Sequence, residues 1–185
     1  MAKFTVFLDR DGVFNVLKLP GIRYVRDLEW LPGAKEAFAK LNRGDVQTAL
    51  CTNQPTVGLL LSTPGMIHRV NGHLKAELEA AGGELPVVEA AFSPTWFPHR
   101  RRKPRPGMLE DAAAKLGHVD KSRAVMIGDT IKDLQAATAF GIPGILLATT
   151  YTEEQLRAKA EAKGVVPEAI LPGLPEAVEW VLKQL

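Results

Sequence analysis

Short runs of β-branched and apolar residues alternate with segments of helical periodicity along the whole chain. That is the pattern of a parallel sheet covered by helices on both faces. The apolar runs predict strands over Lys3–Leu8, Val46–Cys51, Val87–Phe92, Arg123–Ile127 and Gly144–Ala148. Between them, Pro32–Asn42 has the early proline of a helix start, and Met66–Ala81 is closed by Gly82 and Gly83. Pro106–Leu116 and Thr130–Phe140 each stop at a glycine, Gly117 and Gly141. Thr152–Lys163 opens on the capping-box pair Thr152 and Gln155 and stops at Gly164. A last helix over Pro175–Leu185 carries Ala177, Val178, Val181 and Leu182 as its apolar stripe. The expected fold class is therefore α/β. No repeat, low-complexity tract or long linker divides the chain, so a single domain over residues 1–185 is expected.

Composition narrows the function classes. With 46% hydrophobic residues and a formal net charge of +2 over 185 residues, the chain has neither the polarity of a disordered protein nor the charge of a general polycation. No stretch approaches the roughly 20 apolar residues that span a bilayer. The opening MAKFTVFLDRDG reaches two aspartates before a secretory apolar region could be completed, so a cytoplasmic protein is expected. Cys51 is the only cysteine, which excludes an internal disulfide and any zinc site built from several thiolates. At the end of an apolar strand it is expected to be a small core residue rather than a nucleophile.

The candidate chemistry lies at the C-terminal ends of the strands, where open α/β sheets bind ligands. After FTVFL come Asp9 and Asp11, two residues apart and so leaving the sheet on nearly the same side. Asp-x-Asp-Gly is good turn chemistry, but two unpaired acids repel, and a cation beside them resolves the repulsion. After the second strand come Thr52 and Asn53, donors that suit a phosphate as well as an ordinary strand end. Lys103 follows in RKPRPGM, where prolines stiffen the approach to a helix. Asp129 and Asp133, one helical turn apart, follow the fourth strand.

That order of residues resembles the haloacid dehalogenase superfamily of aspartate-dependent phosphohydrolases along essentially the whole chain. Its four motifs appear as Asp9-x-Asp11-Gly12-Val13, Thr52-Asn53, Lys103, and Gly128-Asp129 with Asp133. FLDRDGV, the Gly21 to Val25 stretch, Leu31-Pro32-Gly33, TNQ and RKPRPGM are most similar to the histidinol-phosphate and D-glycero-D-manno-heptose-1,7-bisphosphate phosphatase group. The resemblance implies a Rossmann-like fold and hydrolysis of a small phosphorylated metabolite, with Asp9 as nucleophile and Asp11 as general acid and base. It implies Mg2+ on the Asp9 carboxylate, the Asp11 backbone carbonyl and Asp129. Asp133 would complete the metal group, either directly, through water, or by orienting Lys103. Thr52 and Asn53 would hold the phosphate, and Lys103 would neutralise it. Arg102 matches the group's substrate-phosphate arginine, and Arg100 and Arg101 beside it would extend an anion-binding rim.

The spacing also bears on access. Many relatives bury the site under a cap domain, but the intervals Gly12–Leu31 and Gln54–Arg102 are too short to hold one, so an uncapped site is expected. Two features depart from the resembled group. Its zinc-binding loop of Cys and His residues is replaced by FSPTWFPHRRRKPRPGM, in which His99 is the only such residue, so no zinc is expected. TNQ is followed by Pro55-Thr56-Val57 where a Ser-Gly turn is usual. Sugar phosphates or bisphosphates are the first substrate expectation and histidinol phosphate the second. A nucleic-acid 3′-end phosphatase and a non-catalytic phosphate-binding module are the alternatives, with no membrane partner and nucleic acid the weaker partner.

Overall fold

The computed structural model describes residues 3–185. Six strands form one parallel sheet: β1 (Phe4–Leu8), β2 (Val46–Asn53), β3 (Val87–Ala91), β4 (Ala124–Gly128), β5 (Gly144–Leu147) and β6 (Ala169–Leu171). Their order is β3-β2-β1-β4-β5-β6. The order reverses between β1 and β4, and the crossover helices leave a crevice at the strand ends there. The Asp9 N–H continues the β1–β4 ladder by donating to the Ile127 carbonyl at 2.9 Å. The first candidate acid is thereby anchored at the switch point.

The helices are α1 (Ala34–Ala39), α2 (Pro64–Ala80), α3 (Gly107–Leu116), α4 (Ile131–Phe140), α5 (Glu153–Ala162) and α6 (Leu174–Leu182). Strand alternation sorts the core. Phe4, Val6 and Leu8 of β1 face α1, α2 and α6 in one apolar cluster, whereas Phe7 packs with Ala49, Met108 and Phe140 against α3 and α4. Leu134, Leu146, Leu156 and Ala160 extend the second face under α5. Cys51 lies wholly buried in the cluster with Phe7, and burial pushes its thiol up, out of nucleophilic range.

Several expectations shift. The strand predicted to end at Cys51 runs on to Asn53, so Thr52 and Asn53 are paired strand residues opposite Ala90 and Ala91. The helix expected over Pro32–Asn42 shrinks to six residues, because Gly33 takes a left-handed φ of 70° before it. A three-residue edge strand, β6, has no counterpart in the sequence reading. The interval after β1 holds a loop and one 3-10 turn at Val25–Asp27, and the interval from β2 to α3 holds only α2, β3 and loops. Nothing of domain size is inserted at either place. No helix among the described residues is long and apolar enough to cross a membrane.

Candidate active site

Four elements converge on a cleft at the C-terminal end of the sheet, about 200 Å³ in volume. A larger hollow of about 360 Å³ at the opposite edge, beside Val46 and Glu84, contains no acid cluster and none of the motif residues. Carboxylate oxygens of Asp9, Asp129 and Asp133 all lie within 4.8 Å of one another in the cleft, and each residue is buried. Two glycines make this approach possible. A Cβ on Gly12, whose φ is +75°, would overlap the Asp129 carboxylate, and one on Gly128 would overlap that of Asp133.

Three acids at this distance cannot all be charged without compensation. Lys103, 1% exposed, supplies part of it by pairing with Asp133 and with Asp9 Oδ2 at 3.1 Å. Burial opposes the ammonium charge, but Asp133 and Asp9 together outweigh it and push the lysine up. Burial raises Asp9 to about 7 against the pull of Lys103, with the charges of Asp133 and Asp11 adding to the rise. Asp129 is raised well above the carboxylate range by burial and then by Asp133 and Asp9. One lysine therefore leaves this pocket short of positive charge. A hard divalent cation with oxygen ligands supplies what is missing, and the donor set fits Mg2+.

That deficit predicts a pH dependence. A carboxyl raised in the folded state binds a proton that the unfolded chain has already lost, so metal-free stability falls as pH climbs from about 4 towards 7. Mg2+ must displace that proton to bind, which weakens its affinity by about tenfold per pH unit below 7 for each proton released. Thermal denaturation with EDTA and with excess Mg2+ should show a larger metal-induced gain at pH 7.5 than at pH 5.5. An equal gain at both would remove Asp9 from the ion site.

Asp11 departs from the expected arrangement. Its carboxylate turns away from the three-acid cluster and accepts from Arg10 Nη2 at 3.0 Å, Asn15 Nδ2 at 2.8 Å and Gln54 Nε2 at 2.8 Å. The turn through Gly12, closed by Val13 and Phe14 N–H groups on the Arg10 carbonyl, swings it aside. The carboxylate is thus no part of the acid cluster, and Asp11 has its backbone carbonyl to offer an ion, as the resemblance implied. Arg10 is completely buried and also donates to Asn71 Oδ1 of α2 at 2.9 Å. Neither Arg10 nor Gln54 was recognised from sequence. Both sit inside quoted motifs, FLDRDGV and TNQ, and an arginine between two acids of an apolar strand end was the available signal.

The remaining candidates divide. Thr52 is buried and accepts from Gln54 Nε2 at 2.9 Å. Asn53 lines the cleft, but its amide clamps the Lys103 backbone, accepting from the N–H at 3.1 Å and donating to the carbonyl at 3.0 Å. Its first work is thus to place Lys103. Asp133 receives Thr130 N–H at 3.0 Å and Thr130 Oγ1 at 2.6 Å on one oxygen and Lys103 on the other. It closes the N-terminal capping box of α4, and the same arrangement orients Lys103. Thr150 Oγ1 holds Asp129 Oδ2 at 2.5 Å.

The arginine rim is corrected in part. Arg100 pairs with Asp111 at 2.5 Å. Arg101 binds Glu89 and, at 3.0 Å, Asp111. Glu89 is a buried acid in the middle of β3 and takes Arg101 and Lys115 as structural partners, so Arg101 points to the sheet rather than the cleft. Arg102 alone of the three lines the cleft, with Nη1 on the Ser93 carbonyl at 2.6 Å.

The HAD-hydrolase-like family model matches residues 100–177, the stretch from the arginines through Lys103, Asp129 and Asp133. A D-glycero-D-manno-heptose-1,7-bisphosphate 7-phosphatase of Thermosynechococcus vestitus is 31% identical over 201 aligned residues, which cover 100% of this chain and 98% of that one. The chain belongs to the haloacid dehalogenase superfamily. A second heptose-bisphosphate phosphatase, of Rhodopseudomonas palustris, is 33% identical over 148 residues, covering 75% of this chain and 79% of its own. Among solved structures, D,D-heptose 1,7-bisphosphate phosphatase from B. bronchiseptica, crystallised with magnesium and phosphate, superposes with a TM-score of 0.87 at 26% identity, covering 100% of both chains. With its acid cluster in place, this haloacid dehalogenase member is a Mg2+-dependent phosphatase of small phosphorylated metabolites.

Proposed function

We propose that residues 1–185 act as one phosphohydrolase domain, in the cytoplasm, that removes a phosphate from a sugar bisphosphate of the heptose 1,7-bisphosphate type. The observation that carries this reading is the buried group Asp9, Asp129, Asp133 and Lys103, set beside one cleft-lining arginine that the reacting centre does not use. The activity and substrate of the relatives that match over most of this chain support it.

Asp9 attacks phosphorus in line and forms an aspartyl-phosphate, which divides one hard displacement into two easier ones. Its Oδ1 is held by the Arg10 N–H at 2.7 Å and its Oδ2 by Lys103, which fixes the carboxylate before attack. Bound Mg2+ would neutralise the acids and the transferred oxygens, so that Asp9 stays ionised. Asp11 protonates the departing oxygen, then takes a proton from the water that opens the intermediate. Arg10, Asn15 and Gln54 donate to it in the arrangement seen, which is the state that accepts a proton. To deliver one, Asp11 must release at least one of these donors. Lys103, aligned by Asn53 and Asp133, balances charge on the phosphoryl group. The Thr52 hydroxyl and the Asn53 amide at the end of β2 complete the phosphate seat.

Arg102 supplies orientation. Nη1 is its only guanidinium nitrogen with a protein acceptor among the described residues, which leaves the rest of the fork for an anion. Arg102→Ala should cost about 2–3 kcal/mol in kcat/KM for a bisphosphate and much less for a monophosphate without the second anion. Steady-state kinetics on a matched pair of sugar phosphates tests this. Equal losses on both would assign Arg102 to the reacting phosphate or to the loop at Ser93. A steep fall of kcat/KM with salt on a 3′-phosphorylated oligonucleotide, together with preference for that substrate, would replace the metabolite reading with the nucleic-acid one.

A further inference from the structure

The catalytic cleft, at about 200 Å³, is smaller than the ~300–1,000 Å³ of ordinary ligand sites. It can seat the reacting phosphate and little more. A second hollow of about 330 Å³ adjoins it, and Thr95, Arg102, Lys103 and Lys132 line both. The far walls of this hollow are Trp96 and Phe97, with Arg105 beyond. Trp96 is 71% exposed and Phe97 57%, so neither ring is held there by core packing. Two large adjacent apolar faces left open to water beside a catalytic cleft need a ligand to cover them. The charges follow the same logic. Arg100 and Arg101 are tied up by Asp111 and Glu89, whereas Arg105 and Lys132 have no acidic partner within 4.0 Å among the described residues.

We infer that this hollow is the subsite for the non-reacting part of the substrate, a sugar ring stacked on Trp96 and Phe97 with its second phosphate between Arg105 and Lys132. The inference rests on the sugar-bisphosphate reading above and adds the residues that select the ring. A pyranose presents a face of polarised C–H groups, which suits the negative π-face of indole and phenyl rings. Its hydroxyls remain in water, as an open site allows. The distal phosphate then meets two unpaired cations and the free side of the Arg102 fork. The ring and the second phosphate together give an uncapped enzyme its discrimination.

The test compares wild type, Trp96→Ala, Phe97→Ala and Arg105→Ala on three substrates: D-glycero-D-manno-heptose 1,7-bisphosphate, acetyl phosphate and p-nitrophenyl phosphate. The readout is the ratio of kcat/KM for the sugar to that for acetyl phosphate. This ratio should fall tenfold or more in each variant, mainly through KM. A second readout avoids turnover. The fluorescence of Trp96 in an Asp9→Asn background should be quenched by the heptose bisphosphate, and the quench should vanish in Asp9→Asn/Trp96→Phe. Unchanged ratios with no Trp96-dependent quench would overturn the subsite while leaving the phosphatase intact. A fall in the p-nitrophenyl ratio that exceeds the fall for the sugar would overturn the sugar assignment in favour of an aromatic leaving group. Wild type inactive on all three substrates would overturn the phosphatase reading itself, and with it the subsite.

Discussion

Asp9→Asn is expected to lower turnover by on the order of 10⁴-fold or more, the scale seen when a covalent nucleophile is removed, and to do so without unfolding the protein. The two halves of this expectation come from the same geometry. Asp9 Oδ1 and Oδ2 are already fixed by the Arg10 N–H and Lys103, so the amide that replaces them is no longer a nucleophile and is a poor partner for a cation. At the same time burial pushes the Asp9 carboxyl up to about 7, which means that the metal-free fold tolerates its charge badly. Replacing it with a neutral isostere should therefore leave the melting temperature in EDTA unchanged or higher, and should abolish the gain that Mg2+ gives to wild type. Acid-quench trapping with labelled substrate should find phosphoenzyme in wild type and none in the variant. Substantial turnover by a well-folded Asp9→Asn protein would rule out the aspartyl-phosphate route.

The second large effect is expected from Lys103→Met, which keeps length and removes charge. Lys103 is the cation between Asp9 and Asp133, and all three are buried. Removing one member of a buried ion pair leaves its partner uncompensated, at a cost of about 3–5 kcal/mol. Urea denaturation in EDTA should show a loss of that size, and phosphatase activity should fall by on the order of 10²–10³-fold because the phosphoryl charge loses a preorganised partner. The double variant Lys103→Met/Asp133→Asn separates the two effects. Neutralising Asp133 should restore much of the stability and none of the activity. A stability loss below about 1 kcal/mol in the single variant would mean that the acids are neutralised by some other group.

Local sequence determines a great deal of this molecule, for identifiable reasons. Helix ends were legible because they rest on single residues. Gly117 and Gly141 close α3 and α4 with φ of 91° and 87°, and both halves of the Thr152–Gln155 capping box form. The apolar runs of β1, β2 and β4 were legible because strands buried on both faces need continuous hydrophobicity. The edge strand β6 was not, since three half-buried residues carry too little periodicity to register. Within the site, the identity of Asp9, Asp129 and Lys103 as a group followed from motif order along the chain. Their convergence within one pocket is seen only in the fold, where the sheet reverses its order between β1 and β4.

What the chain alone left open is the direction of each side chain, because charged groups are steered by partners distant in sequence. Motif spacing put Asp11 on nearly the same side as Asp9 but could not show that the buried Arg10, itself tied to Asn71 of α2, draws its carboxylate aside with Asn15 and Gln54. Arg101 was expected at the rim, yet Glu89 of β3 and Asp111 of α3 claim it. Apolar periodicity determined the fold class, because it is local, and motif order singled out the candidate acids, with the reaction type following from the family that this order resembles. Tertiary structure alone decided which cations remain free for a substrate, because a charge is spent or available only relative to the neighbours that folding brings to it.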